Sequence, residues 1–213
     1  MSITLEQNGK VLLVKGGGTV DTPIPGKYTP DEKANRIVFE SDKLSYVLTW
    51  EEDGDDIINL RREILRGELP KPIKNNAFVE HTENALNLVG GSVIDGKCFD
   101  SAVVYDSKDG IVIEMKYGDQ KVTYTTDVEN GIVSNGSMTV DGKALEISED
   151  GSVTLEQQGD LLIFKGGSVF SELPDRIHFV SDTEFHVTYG KDVWAVTCEY
   201  TDDGVKNVKK TKL

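Results

Sequence analysis

Two serines hold the position that a hydrolase nucleophile would take: Ser92 and Ser168 each follow a Gly-Gly pair, in "GGSV". A nucleophile elbow needs G-x-S-x-G on a strand-to-helix turn, with a histidine and an acid elsewhere in the chain. The closing glycine is missing from both copies, and Thr19 follows Gly-Gly in the same way in "GGTV". A repeated structural turn accounts for all three hydroxyls, so no catalytic residue is assigned and the chain is not read as an enzyme.

The three histidines, His81, His178 and His186, form no H-E-x-x-H pair, and a zinc site needs at least three placed ligands. A tight turn over "VSDTE", centred near Asp182, would set His178 and His186 opposite each other on the polar face of one hairpin. Glu184, or an acid from a neighbouring copy, would then complete a metal site. The corresponding positions of the second copy carry no histidine, so the pair is read as exposed cross-strand partners, with no metal and no cofactor assigned. The acidic clusters "EEDGDD" and "TDDG" lack the D-x-[DN]-x-[DN]-G frame and distal Glu of a calcium loop, and are expected at hairpin tips. No phosphate-binding glycine loop joins a strand to a helix, which leaves nucleotide binding unsupported. Trp50, Tyr189, Trp194 and Tyr200 sit near hairpins. A sugar platform would need several of them exposed on one face, and packing is the default for such positions.

The elements that must carry these residues recur along the chain. "ITLEQNGKVLLVKGG" from Ile3 returns as "VTLEQQGDLLIFKGG" from Val153, and a degenerate copy, "AFVEHTENALNLVGG", starts at Ala77. After each Gly-Gly come strand-like runs: Ile177, Phe179, Phe185 and Val187 alternate with His178 and His186, the period of a half-buried strand. Asn-Gly and Asp-Gly pairs, among them Asp53, Asp109, Asn130, Asn135 and Asp203, supply the positive φ angles of tight hairpins. Arg36-Ile37 matches Arg176-Ile177 once about ten extra residues around "DTPIPGKYTP" are set aside as a surface loop. "LPKPIKNN" reads as an extended linker.

These signals predict an all-β fold: three tandem copies of a small antiparallel β-module, sandwich- or barrel-like, over 1–75, 76–151 and 152–213, packed in series. One stretch, "DDIINLRREILRG", places Ile57, Leu60, Ile64 and Leu65 near helical spacing, so a short helix near 56–66 stands as the alternative to a strand there.

The chain has 213 residues, and 37 Asp+Glu against 23 Lys+Arg leave a formal charge of -14, which repels a phosphate backbone and excludes nucleic acid as a partner. The tail "KNVKKTKL" is read as a solvated strand end, and Cys98 and Cys198 as single strand residues in a reducing compartment. The start "MSITLEQNGK" lacks the segments of an export signal and no apolar run reaches bilayer length, so synthesis in the cytoplasm is expected, without membrane insertion.

In its acidic composition, Gly/Asp-rich turns and small tandem β-modules, the chain resembles virion structural proteins of tailed bacteriophages. The resemblance is one of pattern over the whole chain. It implies a non-catalytic role in head decoration, fibre, collar or tail attachment, with protein subunits as partners, a homo-oligomeric state and incorporation in a virion. A carbohydrate- or surface-binding protein is the second expectation, with glycans as partners, and an enzyme with acids converging between modules the third.

Overall fold

The computed structural model describes residues 2–9, 11–22, 24–69, 77–83, 85–145, 153–166 and 173–213. Ser168 and all but the first residue of the "LPKPIKNN" linker lie outside these. In chain order the first third carries β1 (Thr4–Asn8), β2 (Val11–Lys15), β3 (Gly18–Asp21), β4 (Lys27–Asp31), β5 (Arg36–Glu40), β6 (Ser45–Asp53) and β7 (Asp56–Arg66). The middle third carries β8 (Phe78–His81), β9 (Leu86–Val89), β10 (Ser92–Asp95), β11 (Ser101–Ser107), β12 (Gly110–Tyr117), β13 (Gln120–Glu129), β14 (Ile132–Val140) and the short β15 (Lys143–Ala144). The last third carries β16 (Thr154–Gln158), β17 (Leu161–Lys165), β18 (Arg176–Ser181), β19 (Glu184–Tyr189), β20 (Asp192–Thr201) and β21 (Gly204–Lys212). The fold is all-β.

Three four-stranded meanders, β4 to β7, β18 to β21 and β11 to β14, join edge to edge and close through β14 onto β4 into a twelve-stranded antiparallel barrel. Alternation decides which side chains point in. On β13, Val122, Tyr124 and Thr126 share the face of Met138 and Val140 across β14, and Val122 and Val140 are fully buried there. Lys121 and Thr123 point the other way, as the pleat requires. The first meander fills its inner face with stacked rings: Phe39 lies 4.7 Å from Tyr28 and 4.9 Å from Tyr46 between centroids.

Each meander bends at one asparagine in its last strand. Asn59, Asn135 and Asn207 adopt φ of 54°, 53° and 53°, and each marks a bulge that shifts the register opposite Trp50, Thr126 and Cys198. Asparagine tolerates the left-handed conformation because its short amide bonds locally. Asn59 Nδ2 donates to Glu51 Oε2 at 2.8 Å, and Asn135 Nδ2 to Asp127 Oδ2 at 2.6 Å. Two residues before each bulge sits the seam to the next meander, where Ile57 faces Ile177, Val205 faces Ala102 and Val133 faces Tyr28.

The bulge explains why 56–66 is strand and not helix. The extra residue at Asn59 brings Ile57 and Leu60 onto one face although three positions separate them, and the run then alternates, with Leu60, Arg62 and Ile64 half-buried and Leu65 exposed. The supposed surface loop also proves structural. "DTPIPGKYTP" contains all but the last residue of β4, the first stave of the barrel, and Thr22, which is fully buried and receives Gly166 N–H at 3.2 Å on its hydroxyl. Matching Arg36-Ile37 to Arg176-Ile177 therefore sets a second strand on a first one. Asn135-Gly136 likewise lies inside β14 as a bulge, not at a hairpin turn.

Below the barrel the "TLEQ" hairpins form two small sheets whose ladders cross the repeat boundaries at 75 and 151. β2 pairs in parallel with β10, β17 in parallel with β3, and β9 with β16. Leu155, Leu162, Phe164 and Val14 make the core of this base. Val20, Leu161 and Ile163 reach up from it against Tyr117, Val122, Met138 and Val140 of the barrel. At Gly18 a Cβ would fall 2.1 Å from the Tyr117 ring, so only glycine allows this approach.

Candidate functional site inside the barrel

The inner faces of the three meanders carry the same backbone and different side chains. Counting three residues on from each bulge asparagine gives Arg62, Met138 and Lys210. The Arg62 guanidinium lies 5.5 Å over the Tyr46 ring, and the Lys210 ammonium 5.5 Å over the Trp194 ring, at equivalent places. In the middle meander the same pair is Met138 and Val122, wholly apolar and covered by the base. The first meander is likewise filled, by Ile24 and Leu44 against Phe39 and Tyr46.

The third meander is not filled. Beside it runs a cavity of about 330 Å³, from Cys98 and Phe99 at the base past Trp194 and Lys210 toward Tyr200 and Val205 near the rim. Phe185, Val187, Tyr189 and Val196 complete its apolar wall. Trp194 is buried, and its Nε1–H has no acceptor among the described residues. Lys210 is half-buried, and among the described residues its ammonium makes no hydrogen bond or direct ion pair; it lies over the Trp194 ring, with Asp95 and Cys98 acting at longer range.

Two carboxylates lie in the base outside the cavity's lining, one of them within electrostatic reach of Lys210 and Cys98. β3 and β10 end in Asp21 and Asp95, at equivalent steps of their parallel ladders, opposite Phe164 and Val14. Asp95 Oδ1 accepts Lys97 N–H at 2.9 Å and the carboxylate also accepts from Thr19, but desolvation outweighs both and raises its pKa. Asp21 is pushed up to about 6, first by desolvation and then by the Asp95 charge. The Asp21 residue is nonetheless exposed at the end of β3. Burial lowers the Lys210 pKa, partly countered by Cys98 and Asp95, and burial raises that of the Cys98 thiol. A thiol held protonated is a poor nucleophile, and all three histidines lie elsewhere, so the cavity suits binding more than acyl transfer.

The histidine pair forms as its spacing predicted. His178 and His186 face each other across β18 and β19, 6.2 Å between ring centroids. Each is taken by a different carboxylate: His178 Nδ1 bonds Asp56, which also pairs with Arg176 Nε at 3.3 Å, and His186 Nε2 bonds Glu184 Oε1 at 2.9 Å. Among the described residues no three His, Cys, Asp or Glu side chains converge on a metal-sized site. "EEDGDD" and "TDDG" lie at the β6–β7 and β20–β21 tips. Ser92 is buried in β10, and Thr19 lies in β3. Tyr189, Trp194 and Tyr200 do share one face, but it is the inner wall, and only Tyr200 is exposed.

Sequence reasoning missed Lys210. The tail "KNVKKTKL" reads as a solvated strand end, and Lys206 does pair outward, with Glu199 at 3.7 Å, whereas Lys212 shares the face of Lys210, lies 5.8 Å over the Trp194 ring and pairs with Asp192 at 2.7 Å. The bulge at Asn207 turns Lys210 inward. Set against family models, curated proteins and solved structures, the chain matches none of them.

Proposed function

We propose that this protein is a non-catalytic interaction component of a larger assembly, of the kind found in tailed-phage virions, and that it docks mouth-first onto a basic protein surface. The supporting observation is the composition of one end of the barrel. Because the staves alternate in direction, six hairpin tips gather there, two from each meander. They carry acids such as Asp53, Asp55, Asp182, Asp202 and Asp203. Inside the rim, Phe179, Val104, Val128 and Tyr200 expose 46%, 50%, 38% and 63% of their surface, although they sit on the otherwise buried inner face. Aromatic anchors within a charged rim are the anatomy of a protein interface.

Two mouths of this kind repel, so a second copy is a poor occupant and a basic partner a good one. A closed barrel has no edges to pair, which confines edge-to-edge contacts and self-association to the two small sheets of the base. Three similar meanders in a ring also present to a partner much of what a homotrimer would.

The test is co-sedimentation of the purified chain with complexes from its own source, as a function of salt. Phe179→Ser with Tyr200→Ser is expected to weaken association about tenfold or more, and raised salt to weaken it further. Leu65→Ser, an exposed apolar residue on the outer wall, is expected to leave it unchanged. Association indifferent to the double variant and to salt would refute docking through the mouth.

A further inference from the structure

A cavity of ligand size lies beside the third of the three equivalent inner faces, and the lining of that face differs from the other two in chemistry. At about 330 Å³ it lies at the small end of the range for organic ligands, roughly 300–1,000 Å³. Its wall is aromatic and aliphatic, from Phe99, Phe185, Val187 and Val196, and its one ammonium is that of Lys210. The Asp95 carboxylate takes its hydrogen bonds from Lys97 N–H and Thr19, not from Lys210. A half-buried ammonium with no direct salt bridge, which Asp95 reaches only at longer range, and a buried indole N–H without an acceptor among the described residues are both donors in search of an oxygen.

We infer that this cavity binds a small amphipathic monocarboxylate, its apolar body against Phe185 and Trp194 and its carboxylate on Lys210 Nζ. A monoanion suits the site better than a phosphate. One ammonium lines the cavity, Lys212 beside the same indole is already paired with Asp192, and Asp21 and Asp95 nearby would repel a second negative charge. The equivalent Arg62 does not make a second site, because Tyr28, Phe39 and Ile24 occupy the space that stands open beside Lys210. The inference does not rest on the docking role: cavity and rim share Tyr200, but Lys210 and Trp194 lie deeper in the cavity than the rim anchors.

Isothermal titration of the full chain with 3-phenylpropionate and with its neutral amide tests this without any variant. The carboxylate is expected to bind at least about tenfold more tightly than the amide, because a charge-assisted bond replaces an unpaired ammonium. In Lys210→Met, which places the middle meander's residue in the third, that preference is expected to vanish. Arg62→Met is expected to leave it in place. No heat of binding with the carboxylate, equal binding of acid and amide, or a preference that survives Lys210→Met would each overturn the inference.

Discussion

Asp21 and Asp95 show how the fold sets the chemistry of single residues. Both end a strand that runs parallel to a "TLEQ" hairpin, and that pairing carries two carboxylates into the concave base, where desolvation raises the proton affinity of both and the Asp95 charge raises that of Asp21 further. A folded-state pKa above the unfolded one means that the native chain holds the proton longer, so this contribution to stability is present below about pH 4 and is lost as pH rises toward 6. NMR titration of the Asp21 carboxyl is expected to show a midpoint near 6, and Asp21→Asn to reduce the loss of stability between pH 4 and 6. A midpoint near the ordinary 3.8 would contradict the described crowding. None of this is legible in the sequence, where Asp21 opens an apparent loop and Asp95 heads one more Asp-Gly pair of the kind read there as turns. Lys210 was hidden for a related reason: counting alternate residues from Val205 assigns it outward, and one bulged residue reverses the parity. The His178 and His186 pairing, by contrast, needed only a hairpin and a period of two.

At the scale of elements, three bulges at equivalent places organise the barrel. Each sits beside a seam and increases local twist, which lets three meanders close into a ring instead of lying flat. A β-branched residue at such a φ is strained, and the substitution also removes the amide bond to Asp127. Asn135→Val is therefore expected to cost about 2 kcal/mol in urea unfolding, while Asn135→Gly, which accepts the backbone angle, costs less. Equal losses for the two would show that the angle is not the determinant. Most strands and hairpin tips were readable from alternation and Gly-containing turns, and so was the all-β class. What misled was local: Pro and Gly around β4 resemble loop punctuation, and the extra residue in β7 mimics helical spacing at Ile57, Leu60 and Ile64. Both errors come from treating a strand as uniform when closure requires kinks.

For the whole molecule, the repeats found by comparing "TLEQNGKVLLVKGG" with its later copies contribute to a single barrel and to base sheets that run across repeat boundaries. Such pairing joins residues far apart in sequence, and no local pattern announces it. Its functional consequence is polarity: one end is closed by the base, and the other is a wide mouth with an acidic rim and exposed aromatic residues. The central claim is that this mouth is the docking face. Zero-length carbodiimide coupling joins a carboxylate to a lysine in direct contact, so applied to the protein in its native assembly it reads the interface from the acidic side. Coupling of Asp53, Asp182 or Asp202 at the tips to lysines of a partner is the expected result. Coupling confined to base acids such as Glu6 or Glu156, with the tips unreacted, would contradict the account.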